Sequence, residues 1–160
     1  QLCYYRGFGE FKATGFVTET GQLLNLMNGV SCLGGRTQIS RVLAHALKET
    51  RAKAVSAVVF IGDCCEEPVD ELCHTAGELG MLRTPVFMFH EGADVHARAV
   101  FQQVSKLSGG AYAPFDRNSP QVLKDLMAAV AVYASGGAKA LQDFSSRGSP
   151  EVKRLTRQIK

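Results

Sequence analysis

The residues able to do chemistry gather in three stretches: Gly34-Gly35-Arg36-Thr37, Gly62-Asp63-Cys64-Cys65-Glu66-Glu67, and His90-Glu91-Gly92. Asp63 and His90 each close an apolar run, so together they suit the acid–base part of a hydrolase, although no Ser-His-Asp order or nucleophile elbow accompanies them. Asp63 also suits a cap on the helix that begins near Pro68, or a pairing with a nearby arginine. Thr37 suits the N-cap of the helix that follows it. Glu66 and Glu67 read first as favourable charges at a helix start. Cys64, Cys65, Cys73 and His74 suggest zinc, but their spacing fits none of the paired-ligand patterns, and Cys73 and His74 fall on different helix faces. His45, His74 and His96 occupy surface helix positions. Neither Gly7-x-Gly9 nor Gly34-Gly35 completes the Gly-x-Gly-x-x-Gly of a dinucleotide site.

The elements that must position these residues follow from periodicity. Leu2–Arg6 reads as a strand, and a short turn at 7–10 leads to a second extended run, Phe11–Val17, too close for a crossover helix and therefore a hairpin. Leu23, Leu24, Met27 and Val30 fall at helical spacing and predict a short helix after Gly21. A stronger helix starts at about Thr37, with Ile39, Val42, Leu43, Ala46 and Leu47 on one face. Ala57–Ile61 is a continuous apolar run that suits a parallel strand buried on both faces. Pro68 sits in the first turn of the next helix, whose stripe is Val69, Leu72, Ala76 and Leu79. Pro85–His90 repeats the buried-strand pattern. A helix over about 97–107 stops at Gly109-Gly110, Ala111–Phe115 is a last short strand, and Ser119-Pro120 opens a helix to about Ala134.

Strands alternating with helices imply an α/β fold, a Rossmann-like three-layer α/β/α arrangement around a mostly parallel sheet. In such folds ligands bind beyond the carboxyl ends of the strands, where all three polar stretches fall.

A hairpin, a helix, a Gly-Gly-x-Thr turn opening a longer helix and a strand ending in Asp resemble the von Willebrand factor A (VWA) domain, over roughly residues 1–135, and resemble bacterial proteins carrying such domains. That resemblance implies a mostly parallel sheet with one antiparallel edge strand. It also implies a Mg²⁺ or other divalent-cation site, of the metal-ion-dependent adhesion type, built from three loops. Thr37 matches the second loop and Asp63 the third, where Asp63-Cys64 replaces the usual Asp-Gly. The first loop, Asp-x-Ser-x-Ser, occurs nowhere in the sequence. In the family it lies on a central strand that would precede Gln1. The strands Leu2–Arg6 and Ala57–Ile61 should then leave a gap between them or close up abnormally, and direct regular pairing would count against the topology. The implied activity is binding of a partner protein through an acidic residue that completes the cation's shell, with no catalytic turnover. The alternatives are the hydrolase with Asp63 and His90, and a structural VWA-like domain with a degenerate metal site.

Composition bounds the rest. The chain of 160 residues suffices for one domain with a real core, and 46% apolar against 21% charged residues argues against disorder. A net charge of +3 is too small to imply a nucleic acid or membrane partner, and no apolar run approaches the roughly 20 residues that cross a bilayer. Five cysteines without a regular framework suit free thiols in a reducing cytoplasm. The abrupt start at Gln1, directly into a strand, resembles a cut beginning. Residues 136–160 form a polar, basic tail with helical character.

Overall fold

Val86 to His90 reads Val-Phe-Met-Phe-His, with no polar residue until its end, so a strand built from it needs apolar cover on both faces. The computed structural model, which describes residues 1–159, provides that cover. Its elements are β1 (Cys3–Arg6), β2 (Glu10–Ala13), α1 (Thr20–Asn28), α2 (Ile39–Ala52), β3 (Val58–Gly62), α3 (Val69–Met81), β4 (Val86–Glu91), α4 (Val95–Ser108), β5 (Tyr112–Phe115), α5 (Pro120–Ser145) and α6 (Pro150–Thr156). β3, β4 and β5 form a parallel sheet in that order, with β4 central. Val86 and Met88 face one layer, where they meet Leu43 of α2, Leu72 of α3 and Phe101 of α4. Phe87 and Phe89 face the other, against Leu126 and Leu141 of α5 and Leu155 of α6. The fold is a three-layer, Rossmann-like α/β/α arrangement, as the alternation implies.

The antiparallel component is a separate hairpin: β1 pairs with β2 in the register Cys3↔Ala13 to Arg6↔Glu10, and β2 ends at Ala13, short of the expected Val17. β1 and β3 do not pair, and each keeps a free edge. β3 departs from the reading of a strand buried on both faces. Phe60 is buried under α2–α4, but the α5–α6 layer covers β4 and β5 and leaves Ile61 of β3 45% exposed. α1 forms where the spacing predicts it yet buries no side chain, with Leu24 and Met27 about half exposed. Its periodicity is helical, but no layer packs over the stripe.

The change of composition after Gly136-Gly137 marks a break in α5, where Gly137 takes φ +70°, and the packed core continues beyond it. Leu141, Val152 and Leu155 are at most 1% exposed. Gln158 then closes the outer edge of β5 with its amide. Nε2 donates to the Tyr112 carbonyl at 2.9 Å, and Oε1 accepts from the Tyr112 N–H at 3.0 Å, a side-chain substitute for a further strand. Among the described residues no helix is long and apolar enough to cross a membrane, and all five cysteines are free.

Two outcomes follow from this packing. Leu155→Ala should cost about 2–5 kcal/mol in chemical denaturation, as for a buried leucine elsewhere, whereas Lys153→Ala on the exposed side of α6 should change stability by less than about 0.5 kcal/mol. In the hairpin, Arg6 and, after it, Lys12 bond the Glu10 carboxyl and hold it down to about 2. A carboxyl depressed on folding stabilises above its unfolded value, so the hairpin's anchorage should be intact at neutral pH and weaken as pH falls from about 4.5 through about 2. Amide exchange of residues 3–13 across that range checks this, and Glu10→Gln should already show the acid behaviour at pH 7.

Candidate functional site

β3 ends at Gly62, opposite His90 in the ladder, and there the chain leaves the sheet as the loop 63–68. Two carboxylates in that loop reach across to the segment before α2. The Thr37 N–H donates to Glu66 Oε2 at 3.2 Å, and the Glu66 N–H donates to Thr37 Oγ1 at 3.0 Å. Glu67 accepts from the N–H groups of Ile39 and of Ser40, the latter at 2.9 Å. The first turn of any helix carries N–H groups with no partner inside it. α2 has Gln38 at its N-cap, whose side chain makes no cap bond, so a carboxylate 28 residues beyond Ile39 supplies the missing acceptor. That carboxylate also lies at the positive end of the helix dipole.

Three sequence readings are corrected by this geometry. Thr37 does not cap α2, because the helix starts two residues later and the Thr37 hydroxyl accepts from the other loop. Asp63 caps nothing, since α3 has Pro68 at its N-cap and no side-chain cap bond, and among the described residues Asp63 forms no salt bridge. Glu66 and Glu67 bond α2 and its approach, while Asp70 and Glu71 are the acids in the first turn of α3. The role of Glu67 was missed by sequence reasoning. Its signal was a strong amphipathic helix beginning at Ile39 with no good capping residue at Gln38, and an unassigned pair of acids just past a strand end.

Gly34-Gly35 serves close approach. A Cβ on Gly35 would lie 1.9 Å from the carbonyl oxygen of Gly7, which accepts from the Arg36 N–H at 3.2 Å, while the Gly7 N–H donates to Leu33 at 3.1 Å. The turn before Thr37 is thereby fixed to the hairpin, whose Gly7 takes φ +60°.

Thr37 is half-buried and Asp63 is exposed, so the carboxylate meets solvent, while the Thr37 hydroxyl is held against Glu66 of the same loop. The surroundings are negative. Burial first, and then the Asp63 carboxylate and the charges of Glu66 and Asp94, push the Cys64 thiol up to about 11, so it is no ready nucleophile at neutral pH. Burial, with Glu67 and Asp63 adding to it, likewise raises the Tyr5 phenol.

His90 is fully buried. Its ring reaches the backbone carbonyl of Asp63, Nε2 to oxygen 3.2 Å, and the Tyr112 hydroxyl, Nδ1 to oxygen 3.0 Å. Asp63 and His90 are therefore neighbours, but through the main chain of Asp63. The suggested zinc group does not assemble: Cys65 is buried, Cys73 faces Gln103, His74 is exposed on α3, and among the described residues no three His, Cys, Asp or Glu side chains are placed to hold a metal.

No family model, curated protein or solved structure matches the chain.

The bonds from Glu67 to the first turn of α2 make a direct stability prediction. Glu67→Ala removes the acceptor from the first turn of α2 and should cost about 0.5–2 kcal/mol in chemical denaturation, the range for loss of a helix cap, whereas Glu67→Gln, which keeps one acceptor oxygen, should lose less. Equal stability of Glu67→Ala and wild type would show that α2 does not need this acceptor.

Proposed function

We propose that the chain is a protein-interaction module of the VWA type, in which a divalent cation at the carboxyl ends of the strands is held by Thr37 and Asp63 and coordinates an acidic group of a partner protein. The observation that carries this reading is the reciprocal Thr37–Glu66 bonding, which brings a loop hydroxyl and the loop of the exposed Asp63 carboxylate together from positions 26 apart in sequence. The donors fit a hard cation in kind, being oxygens that leave most of its shell to water. They fall short in number, since two protein ligands only partly neutralise the charge. The protein's residues would bind and orient the ion, and the ion when bound would offer open positions to a carboxylate. No residue is assigned a step of covalent chemistry.

A structural VWA-like domain with a degenerate metal site is the second reading, favoured by the absence of a three-ligand group among the described residues. The hydrolase reading has less to recommend it, because both nitrogens of His90 are engaged inside the core.

Calorimetry with Mn²⁺ and Mg²⁺ separates the first two. The module should bind Mn²⁺ with a Kd on the order of 1 mM, at the weak end for hard-cation sites. Asp63→Ala should abolish that binding, and Thr37→Val should weaken it while Thr37→Ser preserves it. Equal affinity in wild type and Asp63→Ala would remove Asp63 from the site, and no heat with either ion would favour the degenerate domain.

A further inference from the structure

We infer that His90 is the positioning residue of the Asp63 loop, fixing the main chain from which the Asp63 carboxylate projects. The inference concerns the site proposed above and rests on that reading only where metal affinity is concerned.

The ladder between β3 and β4 ends at the pair Gly62↔His90. Beyond it Asp63 has no strand partner, and an unrestrained residue there would sample many backbone conformations that folding must give up. The His90 imidazole supplies the next rung with its side chain, 3.2 Å from the Asp63 carbonyl oxygen. A carbonyl only accepts, so Nε2 carries the hydrogen. In the neutral ring Nδ1 is then a lone pair, to which the Tyr112 hydroxyl 3.0 Å away donates. The ring is held in that orientation by Phe101, edge-on at 5.3 Å between centroids, and no part of His90 reaches solvent.

The position of Tyr112 is fixed in turn. Its main-chain N–H and carbonyl are both bonded by the Gln158 amide. A continuous set of hydrogen bonds therefore runs from the C-terminal segment through β5 and β4 to the first residue beyond β3. Groups that orient a ligand from behind govern affinity without touching the ion, and their loss commonly costs 10–100-fold.

Three measurements test this. In wild type, long-range ¹H–¹⁵N spectra of the His90 ring should report a neutral imidazole protonated at Nε2; protonation at Nδ1 alone would overturn the assignment. His90→Leu removes both bonds, and His90→Gln keeps an amide donor in place of Nε2–H. In folded protein at a temperature well below unfolding, His90→Leu should speed amide exchange over residues 63–66 at least tenfold, while His90→Gln stays within about threefold of wild type. Mn²⁺ affinity, read from the free-ion spin-resonance signal, should fall about tenfold or more in His90→Leu and recover in His90→Gln. Folded His90→Leu with wild-type exchange and wild-type affinity would make the residue mere packing. Should His90→Leu not fold, failure of His90→Gln to keep wild-type exchange would overturn the rung. Loss of Mn²⁺ binding in wild type itself would refute the metal reading, and the exchange and tautomer results would still decide the role of His90.

Discussion

Burial of β4 on both faces is the constraint from which the rest of the architecture follows. Val86, Phe87, Met88 and Phe89 are each fully buried, and alternate residues of a strand point to opposite sides. Burying each such side chain is worth about 1.5–3 kcal/mol relative to exposure, so the strand must be roofed twice. α2, α3 and α4 form one roof, and α5 with α6 the other. The second roof explains why the polar-looking stretch after Gly137 is structural, since Leu141, Val152 and Leu155 stand opposite Phe87 and Phe89. It also explains why β3 has one poorly covered side, because α5 and α6 lie over the other end of the sheet.

A parallel sheet fixed in this way aligns its carboxyl ends, and the loops leaving them converge at one place. What converges here is held by hydrogen bonds from unusual sources. Two consecutive acids from the loop after β3 complete α2 and bond Thr37, and a buried imidazole extends the ladder by one rung to Asp63. Glycines allow the third approach, where Gly35 lies against the Gly7 carbonyl too closely for any side chain. Each device satisfies backbone groups that would otherwise be left without partners. The outcome is a Thr37 with both its N–H and its hydroxyl engaged, and an Asp63 whose main chain is bonded while its carboxylate faces water.

Much of this was legible in the chain. The stripe Ile39, Leu43, Ala46 and Leu47 predicted α2 and its buried face, Leu72, Ala76 and Leu79 did the same for α3, and the two apolar runs gave neighbouring parallel strands. Apolar character cannot say how far a neighbouring layer extends, so the run ending at Ile61 reads as more buried than it is. The same blindness affected the tail, where a few apolar residues spaced among charges suffice for burial once a sheet face needs covering. At the site, the positions of Thr37 and Asp63 could be read from strand and helix ends. Their hydrogen-bond partners could not, because Glu66, Glu67 and His90 act on residues 27 to 29 positions away and no local pattern encodes such a pairing.

The charges around Asp63 bear on how the proposed module would meet its partner. Glu66 and Glu67 already accept hydrogen bonds from the main chain, whereas the exposed Asp63 carboxylate takes part in no salt bridge among the described residues. Asp63, Glu66 and Asp94 together oppose ionisation of Cys64, so their fields overlap at the loop. An acidic group arriving on its own would meet like charges, each costing roughly 1–3 kcal/mol at ~5 Å depending on the effective dielectric. A divalent cation held by Asp63, as proposed, would reverse the sign of that encounter, and the same negative field that repels the acid would favour the ion. On the proposed reading Asp63 would hold the cation, the surrounding acids would favour it, and the ion when bound would supply the positive charge that a partner's carboxylate needs at this loop.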